Sequence, residues 1–324
     1  MSTSTAVALA AAVTVGAPLV VLGYLAAVER LLALLPVAAG SRARPWAWLL
    51  PPLALIAIFL VYPLINTIAL SLEDATSSRW VGLANYRAML AGDELRDALR
   101  NNVLWLLLLT GGCLAVGLLI AVLADRVRYE IAAKSVVVLP TAVSFVAGAV
   151  IWKFMYDYQA PGFPQTGTLN AVLTGVTGAD PVPWLVDTHT NNAALIAVGV
   201  WMTTGFATVV ISAALKQVPV EQLEAARLDG AGAWPVFRYV VLPHLRPTLV
   251  VVATLLAIGA LKAFDAVYVM TNGNYGTDVI ANVLYRQLFV NSDYGRASAV
   301  AVLLAVLVLP VLLLNIRALR REEG

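Results

Sequence analysis

The chain alternates between long apolar runs and short polar segments. A helix that crosses a bilayer needs about 20 apolar residues, because the hydrocarbon core is about 30 Å thick. Runs of that length cover residues 6–28, 46–70, 102–124, 136–156, 193–215, 248–270 and 297–316. Backbone groups inside lipid must be hydrogen-bonded within their own segment, so the pattern predicts seven transmembrane helices.

A polar stretch, residues 219–247, lies between the fifth and sixth runs. Pro219 can open a helix there, because the first helical turn does not use the missing N–H. Asp229 and Gly230 form a strong turn signal, which predicts that this first helix ends at that point. The apolar side of the helix is expected to hold Leu223, Ala226 and Leu228.

A second helix is predicted after the turn, because Trp234, Phe237 and Val241 have the spacing of one helical face. Leu242 and Pro243 are predicted to end it, since the residue before a proline disfavours the helical conformation. The stretch thus predicts two short helices lying across the membrane surface. Such a hairpin is either a general interfacial element or a surface that docks a partner.

The 219–247 stretch resembles the EAA motif in the permease subunits of ATP-binding-cassette importers. The matching positions are Glu224, Ala225, Ala226, Asp229, Gly230, Ala231, Phe237, Leu242 and Pro243. The resemblance implies that the segment rests in a groove of a separate ATPase, where Glu224 pairs with a basic residue and Gly230 permits close backbone approach. For Asp229, a role as cap of the turn is favoured over a contact with that partner.

Other strings resemble the sugar-importing branch of these permeases, which includes the maltose and glycerol-phosphate permeases. They include VYPLINTIALSL, VGLANYRAML, LPTAVSFVAGAVIWKFMYDY and LKAFDAVYVMTNGNYGTDVIANVLY. Within the branch, the chain resembles the alpha-glucoside permeases in particular, which also carry an extra N-terminal helix. The resemblance implies an all-α integral membrane protein with a six-helix type I importer core and one added transmembrane helix.

The same resemblance, which spans about residues 46–318, sets the expected domains. Residues 1–45 are expected to form the added transmembrane helix and a cytoplasmic linker, residues 46–318 the permease domain, and residues 319–324 a short cytoplasmic tail. The first run could instead be a cleaved secretory signal. It lacks a basic n-region and is longer than a typical signal core, which favours a retained helix.

Basic residues set the expected orientation. If the 219–247 stretch is cytoplasmic, thirteen lysines and arginines flank the spans on that side and five lie in the opposite loops. This asymmetry agrees with the positive-inside rule. The N-terminus is then outside and the C-terminus inside.

Composition restricts the class of protein further. The chain is 60% hydrophobic and 12% charged with a mean hydropathy of +0.84, values typical of a membrane protein. Its net charge of +2 is spread over short loops, which predicts no nucleic-acid partner. It has neither a GxxxxGK[ST] nor an HExxH motif, so neither an ATP-phosphate cradle nor that catalytic zinc motif is expected in it. The resemblance implies a transport subunit without cofactors, with ATP and Mg²⁺ bound by the partner ATPase.

The resemblance also implies the partners. They are an ABC ATPase dimer, a second permease subunit, an extracytoplasmic sugar-binding protein, the sugar substrate and membrane lipid. A different second permease is favoured over a second copy of this chain, because the sugar branch usually pairs two permeases. The expected substrate is a di- or oligosaccharide of the alpha-glucoside type, with glycerol phosphate or another solute as the alternative. An ion-driven secondary transporter is a further alternative, although no internal repeat is visible.

Five residues are candidates for lining the substrate path. Lys262 and Asp265 are ionisable residues inside an apolar run, where they are costly. They either face the path and bind sugar hydroxyls, or form a salt bridge or other contact between helices. Alignment with maltose permeases places Met202, Thr203 and Phe206 at sugar-lining positions, but ordinary helix packing explains them equally well.

The outward side of the predicted topology carries three loops, residues 72–101, 157–192 and 271–296, which are expected to receive the binding protein. Lys153 and Asp157 lie near the outer end of the fourth run with the spacing of neighbours on one helical face. They are predicted to form an interfacial pair. The single cysteine, Cys113, lies within a run and is expected to pack as a small apolar residue.

Overall fold

The computed structural model describes residues 3–34 and 36–320. The regular structure in these ranges is helical, apart from one isolated bridge between Glu73 and Trp80. The α-helices are α1 Thr3–Leu32, α2 Val37–Ile56, α3 Tyr62–Leu70, α4 Ala84–Ala91, α5 Asp93–Ala124, α6 Glu130–Val138, α7 Phe145–Met155, α8 Thr168–Thr177, α9 Asn191–Leu215, α10 Val220–Leu228, α11 Ala233–Val236, α12 Leu242–Leu261, α13 Asp265–Met270, α14 Ile280–Tyr285 and α15 Tyr294–Arg320. Wider π-helical turns cover Ala57–Val61, Phe237–Val241 and Arg286–Val290, and a 3₁₀ turn covers Leu139–Ala142.

Several of these helical segments are suited to crossing a membrane. Within the described ranges, five are long and apolar enough: Ser41–Leu70, Asp93–Ala124, Asn191–Leu215, Ala233–Met270 and Tyr294–Arg317. A sixth crossing results if the bent pair Glu130–Ala142 and Phe145–Met155 is one span. The prediction of an all-α protein with several spans is confirmed. The first predicted run lies in α1, which is not among these segments, so the count of seven stays a prediction.

Contacts divide the chain after Ala69 into two compact units. In the first unit, the Tyr24 hydroxyl of α1 donates to the Ala47 carbonyl of α2 at 2.8 Å, and Arg44 pairs with Glu29 at 2.8 Å. The predicted division between residues 45 and 46 stays a prediction. In the predicted tail, residues 321–324 lie outside the described residues.

Helix α9 is the centre of the second unit, residues 70–324. Of its apolar window 61% is buried, against 22% for α5 and 18% for α15. A Cβ added to Gly199 would lie 2.6 Å from Leu109 Cδ1 of α5, and one added to Gly205 would lie 2.6 Å from the Val137 carbonyl oxygen of α6. Small residues allow such close approach between helices in membranes. Helix α9 therefore fixes the positions of α5 and α6.

The fourth predicted run, residues 136–156, is not a single helix. It consists of α6, the 3₁₀ turn and α7, with a bend of 99°. Pro140 has no N–H to continue the helix, and Val143 is extended with φ −88° and ψ 141°. The Ser144 hydroxyl then caps α7 by accepting a hydrogen bond from the Ala147 N–H at 3.2 Å. The prediction of one continuous helix was wrong, because these local break signals lie inside a uniformly apolar run.

Candidate functional site

The first half of the candidate coupling loop, residues 219–243, is a short helix. Pro219 is extended with φ −60° and ψ 128°, and α10 follows it and ends at Leu228. Proline suits this position, because the first N–H groups of a helix have no intrahelical partner. The predicted start and end of this helix are confirmed.

A left-handed glycine closes α10. Gly230 has φ +81°, a conformation that residues with a Cβ rarely adopt. Its N–H donates to the Arg227 carbonyl at 3.0 Å, and the Ala231 N–H donates to the Ala226 carbonyl at 3.0 Å. This pair of bonds is the Schellman motif, which satisfies the last carbonyls of a helix. Asp229 is the C-cap residue of α10, as predicted, and it closes the turn through its backbone N–H, which donates to the Ala225 carbonyl at 3.0 Å.

The surface of the coupling loop is partly apolar and open. Glu224, Ala225, Asp229 and Gly230 are exposed, which leaves them accessible to a partner. Leu228 is 89% exposed, so its predicted place on the packed side was wrong. The residues that pack against the core are Leu223, Ala226, Ala231 and Phe237. Leu228 is the last residue of α10 and lies two positions after Ala226, and residues two apart do not share one face of a helix.

The second half of the coupling loop continues directly into a membrane span. Helix α11, the π-helical turn and α12 follow one another, and the segment Ala233–Met270 has 38 residues. The prediction that Leu242 and Pro243 end the helix was therefore wrong. Pro243 lies in the first turn of α12, directly after the π-helical turn. The wider turn changes the local hydrogen-bond register, so the chain tolerates a residue without an N–H.

Charged side chains fasten the start of the coupling loop to the bundle. Lys216 follows the last residue of α9, and its Nζ donates to Glu130 Oε1 at 2.7 Å. This hydrogen bond raises the pKa of Lys216. The same carboxylate pairs with Lys134, which also bonds the Ser212 hydroxyl of α9. These contacts thus hold the start of the coupling loop against α6 and α9.

A cavity of about 450 Å³ lies among α5, α9, the bend before α7 and the end of α12. All five predicted path residues line it: Met202, Thr203, Phe206, Lys262 and Asp265. We call it the central cavity. Its wall also includes Trp105, Phe145 and Phe264, so the lining is largely apolar with a few polar groups. Ligand pockets commonly have this character.

The two charged residues of the central cavity lie at a break in the sixth predicted span. Helix α12 ends at Leu261, Phe264 has φ −144° and ψ −58°, and α13 begins at Asp265. Asn102 Nδ2 of α5 donates to the Leu261 carbonyl at 3.0 Å, which satisfies an acceptor freed by the break. Lys262 and Asp265 flank the break, and no ion pair joins them in the described ranges. The salt-bridge interpretation of this pair is therefore wrong.

The three residues of α9 contribute differently to the central cavity. Phe206 is 40% exposed and presents a ring to the cavity, whereas Met202 is 2% exposed and packs its sulfur against Gly148. The Thr203 hydroxyl donates to the Gly199 carbonyl at 2.5 Å and lies 3.1 Å from Cys113 Sγ. Packing and cavity lining thus coexist in this set. Cys113 is fully buried, as its predicted packing role requires.

Trp105 is a lining residue that the sequence analysis missed. It is 3% exposed, and its indole N–H has no hydrogen-bond partner in the described chain. Buried donors without a partner are uncommon in proteins, and this one belongs to a residue of the cavity wall. The only sequence signal was a tryptophan in the middle of an apolar run.

The predicted pair of Lys153 and Asp157 does not form. Lys153 Nζ donates to the Val269 carbonyl at 3.0 Å, and the Asp157 carboxylate accepts from the Thr166 hydroxyl at 2.5 Å. Helix α7 ends before Tyr156, so Asp157 lies beyond the helix and its spacing from Lys153 no longer places the two on one face.

The braced surface loop, the broken spans and the apolar bundle define a helical membrane permease. The chain belongs to the family of binding-protein-dependent transport system inner membrane components, whose model matches residues 19–320. It is a multi-pass inner-membrane permease component of an ABC importer. Its relatives are permease subunits rather than enzymes, and the ATPase of these systems is a separate subunit.

Named relatives agree with this family. The chain is 46% identical to the osmoprotective compounds uptake permease protein GgtC of Synechocystis sp., over 84% of this chain and 98% of that protein. It is 42% identical to the alpha-glucoside transport system permease protein AglF of Rhizobium meliloti, over 87% of this chain and 84% of that protein. The resemblance to alpha-glucoside permeases is thus confirmed.

A solved structure shares the fold. It is the crystal structure of a bacterial ABC transporter involved in the import of the acidic polysaccharide alginate, with a TM-score of 0.74 and 26% identity. The match covers 87% of this chain and 96% of that chain. The predicted importer permease fold is therefore confirmed, and the number and orientation of the spans stay predictions.

Proposed function

We propose that this permease carries a neutral di- or oligosaccharide of the alpha-glucoside type into the cytoplasm. The observation that carries the proposal is the central cavity, where the five predicted path residues meet beside Trp105 and two phenylalanine rings. Aromatic rings suit the apolar faces of sugar rings, and the unpartnered indole N–H suits a hydroxyl acceptor. The name of AglF, an alpha-glucoside transport system permease protein, supports this class of substrate.

The charges in the central cavity favour a neutral solute over glycerol phosphate. Lys262 and Asp265 both line the cavity and are not paired with each other in the described chain. An anionic substrate would be attracted by the lysine and repelled by the aspartate at short range. Sugar hydroxyls can accept from the ammonium group and donate to the carboxylate, so they use both side chains.

We propose that residues 219–243 couple ATP hydrolysis by the ATPase to transport by this permease. Glu224 would pair with a basic residue in a groove of the ATPase dimer, and the turn at Gly230 would permit close backbone approach. Ala225, Ala226, Asp229, Ala231, Phe237, Leu242 and Pro243 would complete this surface and its support. The unbroken helical stretch Ala233–Leu261 supports the proposal, because it joins the coupling loop to the break beside the central cavity without a flexible linker.

The assembly and topology are proposed to follow the family. The chain would have seven spans, counting a retained first helix, with the N-terminus outside and the C-terminus inside. It would pair with a different second permease and receive sugar from an extracytoplasmic binding protein. It binds no cofactor in this proposal, since ATP and Mg²⁺ would be held by the ATPase.

Uptake by proteoliposomes tests the proposed substrate. The permease is reconstituted with its ATPase, second permease and binding protein, and is offered labelled maltose, trehalose, sucrose or glycerol phosphate. We expect ATP-dependent uptake of at least one of the three neutral sugars. Uptake of glycerol phosphate alone, or sugar uptake driven by an ion gradient without ATP, would contradict the proposal.

The variant Trp105→Phe tests the central cavity directly, because it removes the N–H and keeps most of the ring. We expect the KM for sugar to rise roughly two- to tenfold, the value of one net hydrogen bond. The matched control is Trp184→Phe, since the Trp184 N–H donates to Asn170 at 3.1 Å and does not line the cavity. That variant should lower stability and leave the KM unchanged. An unchanged KM in Trp105→Phe would remove this residue from the proposed site.

A further inference from the structure

A second pocket, which we call the outer pocket, lies at the opposite end of the Ala233–Met270 segment from the coupling loop. Its volume is about 510 Å³. Its walls include Lys153 of α7, Tyr268 of α13, and Asn272, Asn274 and Tyr275 of the following turn. It combines aromatic rings, two amides and one ammonium group, and has no carboxylate in its lining. The five path residues of the central cavity are not part of it.

The turn that forms one wall of the outer pocket has an unusual backbone. Four of its residues are left-handed, with φ 52° at Asn272, 77° at Gly273, 59° at Tyr275 and 72° at Gly276. The glycines adopt this conformation readily, but each non-glycine residue costs roughly 1–2 kcal/mol. Strained backbone of this kind concentrates at binding sites, where surrounding structure holds it in place.

Two buried asparagine side chains hold the backbone of this turn in place. Asn191 Nδ2 of α9 donates to the Tyr275 carbonyl at 2.7 Å, and Asn101 Nδ2 of α5 donates to the Gly276 carbonyl at 2.8 Å. Both asparagines are buried, whereas the Tyr275 side chain is 51% exposed. The bundle therefore holds the backbone of the turn and leaves the side chain of Tyr275 directed away from the core.

A stack of two rings separates the outer pocket from the central cavity. Phe264 lines the central cavity, and Tyr268 lines the outer pocket. Their ring centroids are 5.1 Å apart with an interplanar angle of 20°. Tyr285 contacts both rings, with centroids 5.5 Å from Phe264 and 4.9 Å from Tyr268. The two spaces thus share one aromatic partition.

The polar groups of the outer pocket have hydrogen-bonding capacity left. Lys153 Nζ donates to the Val269 carbonyl at 3.0 Å, which uses one of its three N–H groups. Asn274 Nδ2 donates to the Thr271 carbonyl at 2.8 Å, which leaves its amide oxygen as an acceptor. Donors and acceptors beside exposed rings match a pyranose, which has apolar C–H faces and a rim of hydroxyls.

We propose that the outer pocket binds one glycosyl unit of the substrate before that unit passes the Phe264 and Tyr268 partition into the central cavity. The ring of Tyr275 packs on the face of the sugar, and Lys153 and the side-chain amides of Asn272 and Asn274 bond its hydroxyls. The inference rests on the proposed sugar import. It adds a second binding site, displaced along the same path, which the candidate path residues do not form.

Glycine substitutions test this site without harming the turn. Tyr275→Gly and Asn272→Gly remove a pocket side chain and relieve backbone strain at the same time, so the fold should be kept. The matched control is Ser292→Gly, because Ser292 also has a left-handed φ of 51° and does not line the pocket. Uptake of maltose, trehalose and sucrose is measured in proteoliposomes that contain the complete transporter. Binding-protein concentration is varied separately from sugar concentration.

We expect Tyr275→Gly to raise the KM for the transported sugar roughly two- to tenfold, the range of one aromatic contact. With binding protein at saturating concentration, Ser292→Gly should keep the wild-type KM for sugar, and all three variants should be at least as heat-stable as the wild type. An unchanged sugar KM in both pocket variants would overturn the proposal, as would an equal rise in Ser292→Gly. If the variants change only the concentration of binding protein that gives half-maximal uptake, and not the KM for sugar, the proposal is also overturned and the turn is assigned to protein docking. If the wild type imports none of the sugars, the proposed function fails before the pocket is tested.

Discussion

The turn at Gly230 gives the sharpest prediction about coupling. Proline fixes φ near −65°, whereas Gly230 has φ +81°, so Gly230→Pro cannot keep the turn. It also removes the N–H that donates to the Arg227 carbonyl at 3.0 Å. Alanine keeps that bond but must adopt a left-handed conformation, which costs roughly 1–2 kcal/mol.

These costs predict a graded effect. The alanine side chain itself meets no atom within 4 Å, so strain is the only penalty within the chain. The free variant can avoid this strain by leaving the left-handed turn, whereas docking is proposed to need that turn, so the strain is subtracted from the docking free energy. We therefore expect Gly230→Ala to weaken binding of the ATPase by roughly 5- to 30-fold, and Gly230→Pro to abolish sugar-stimulated ATP hydrolysis.

Gly232→Ala is the matched control. Gly232 is two residues away with φ −70° and ψ 173°, which any residue adopts, and an added Cβ would lie 3.9 Å from Pro235 Cδ. This variant should bind and stimulate the ATPase like the wild type. ATP hydrolysis and sugar uptake are measured in proteoliposomes, after size-exclusion chromatography shows that each permease is folded. Wild-type coupling in Gly230→Pro, or equal damage in Gly232→Ala, would refute the reasoning.

Two further predictions concern stability. Gly205→Ala places a Cβ 2.6 Å from the Val137 carbonyl oxygen, so we expect destabilisation of about 1–3 kcal/mol in thermal denaturation. Gly175→Ala, with no atom within 4 Å, should not destabilise, and equal melting of the two variants would contradict the packing. The hydrogen bond to Glu130 raises the pKa of Lys216. The pair therefore stabilises the fold fully below the unfolded lysine pKa of about 10.4, and this stabilisation is lost as the pH rises through the folded pKa. Glu130→Gln should remove this alkaline dependence, and an unchanged pH profile would exclude the effect.

Local signals predicted the coupling loop because its turn is determined by the chain itself. Asp-Gly after an amphipathic helix requires only the conformational freedom of glycine, and Gly230 is left-handed as expected. The five path residues line one cavity. Alignment with maltose permeases predicted the three residues of α9, and the cost of charge in an apolar run predicted Lys262 and Asp265. Their contact with sugar stays a prediction.

The breaks within spans could not be predicted from apolar content. A hydropathy window averages over Pro140 and over Lys262 to Phe264, and the chain remains apolar on both sides of each break. The second break depends on Asn102, whose amide reaches a carbonyl 159 positions away in sequence. Proline had the opposite effect at Pro243, where a π-helical turn allows the helix to continue. Whether a proline ends a helix thus depends on hydrogen bonds around it.

Sequence spacing also could not predict which side chains contact each other across the bundle. The rule that residues four apart face each other holds only inside a helix, and Asp157 lies beyond the end of α7. Trp105 gave no signal either, because an apolar run supplies no information about which indole lacks an acceptor. Both features follow from packing between α5, α7, α9 and α13.

Photo-cross-linking tests the central claim most directly, namely that the exposed tip of the coupling loop docks on the ATPase. A photoreactive phenylalanine analogue is placed at Leu228, which is 89% exposed beside the turn, or at Phe289, which is 66% exposed beyond the far end of the Ala233–Met270 segment. Illumination of the assembled transporter should capture the ATPase from position 228 and not from position 289. Capture from position 289, or none from position 228 in a transporter that hydrolyses ATP, would contradict the account.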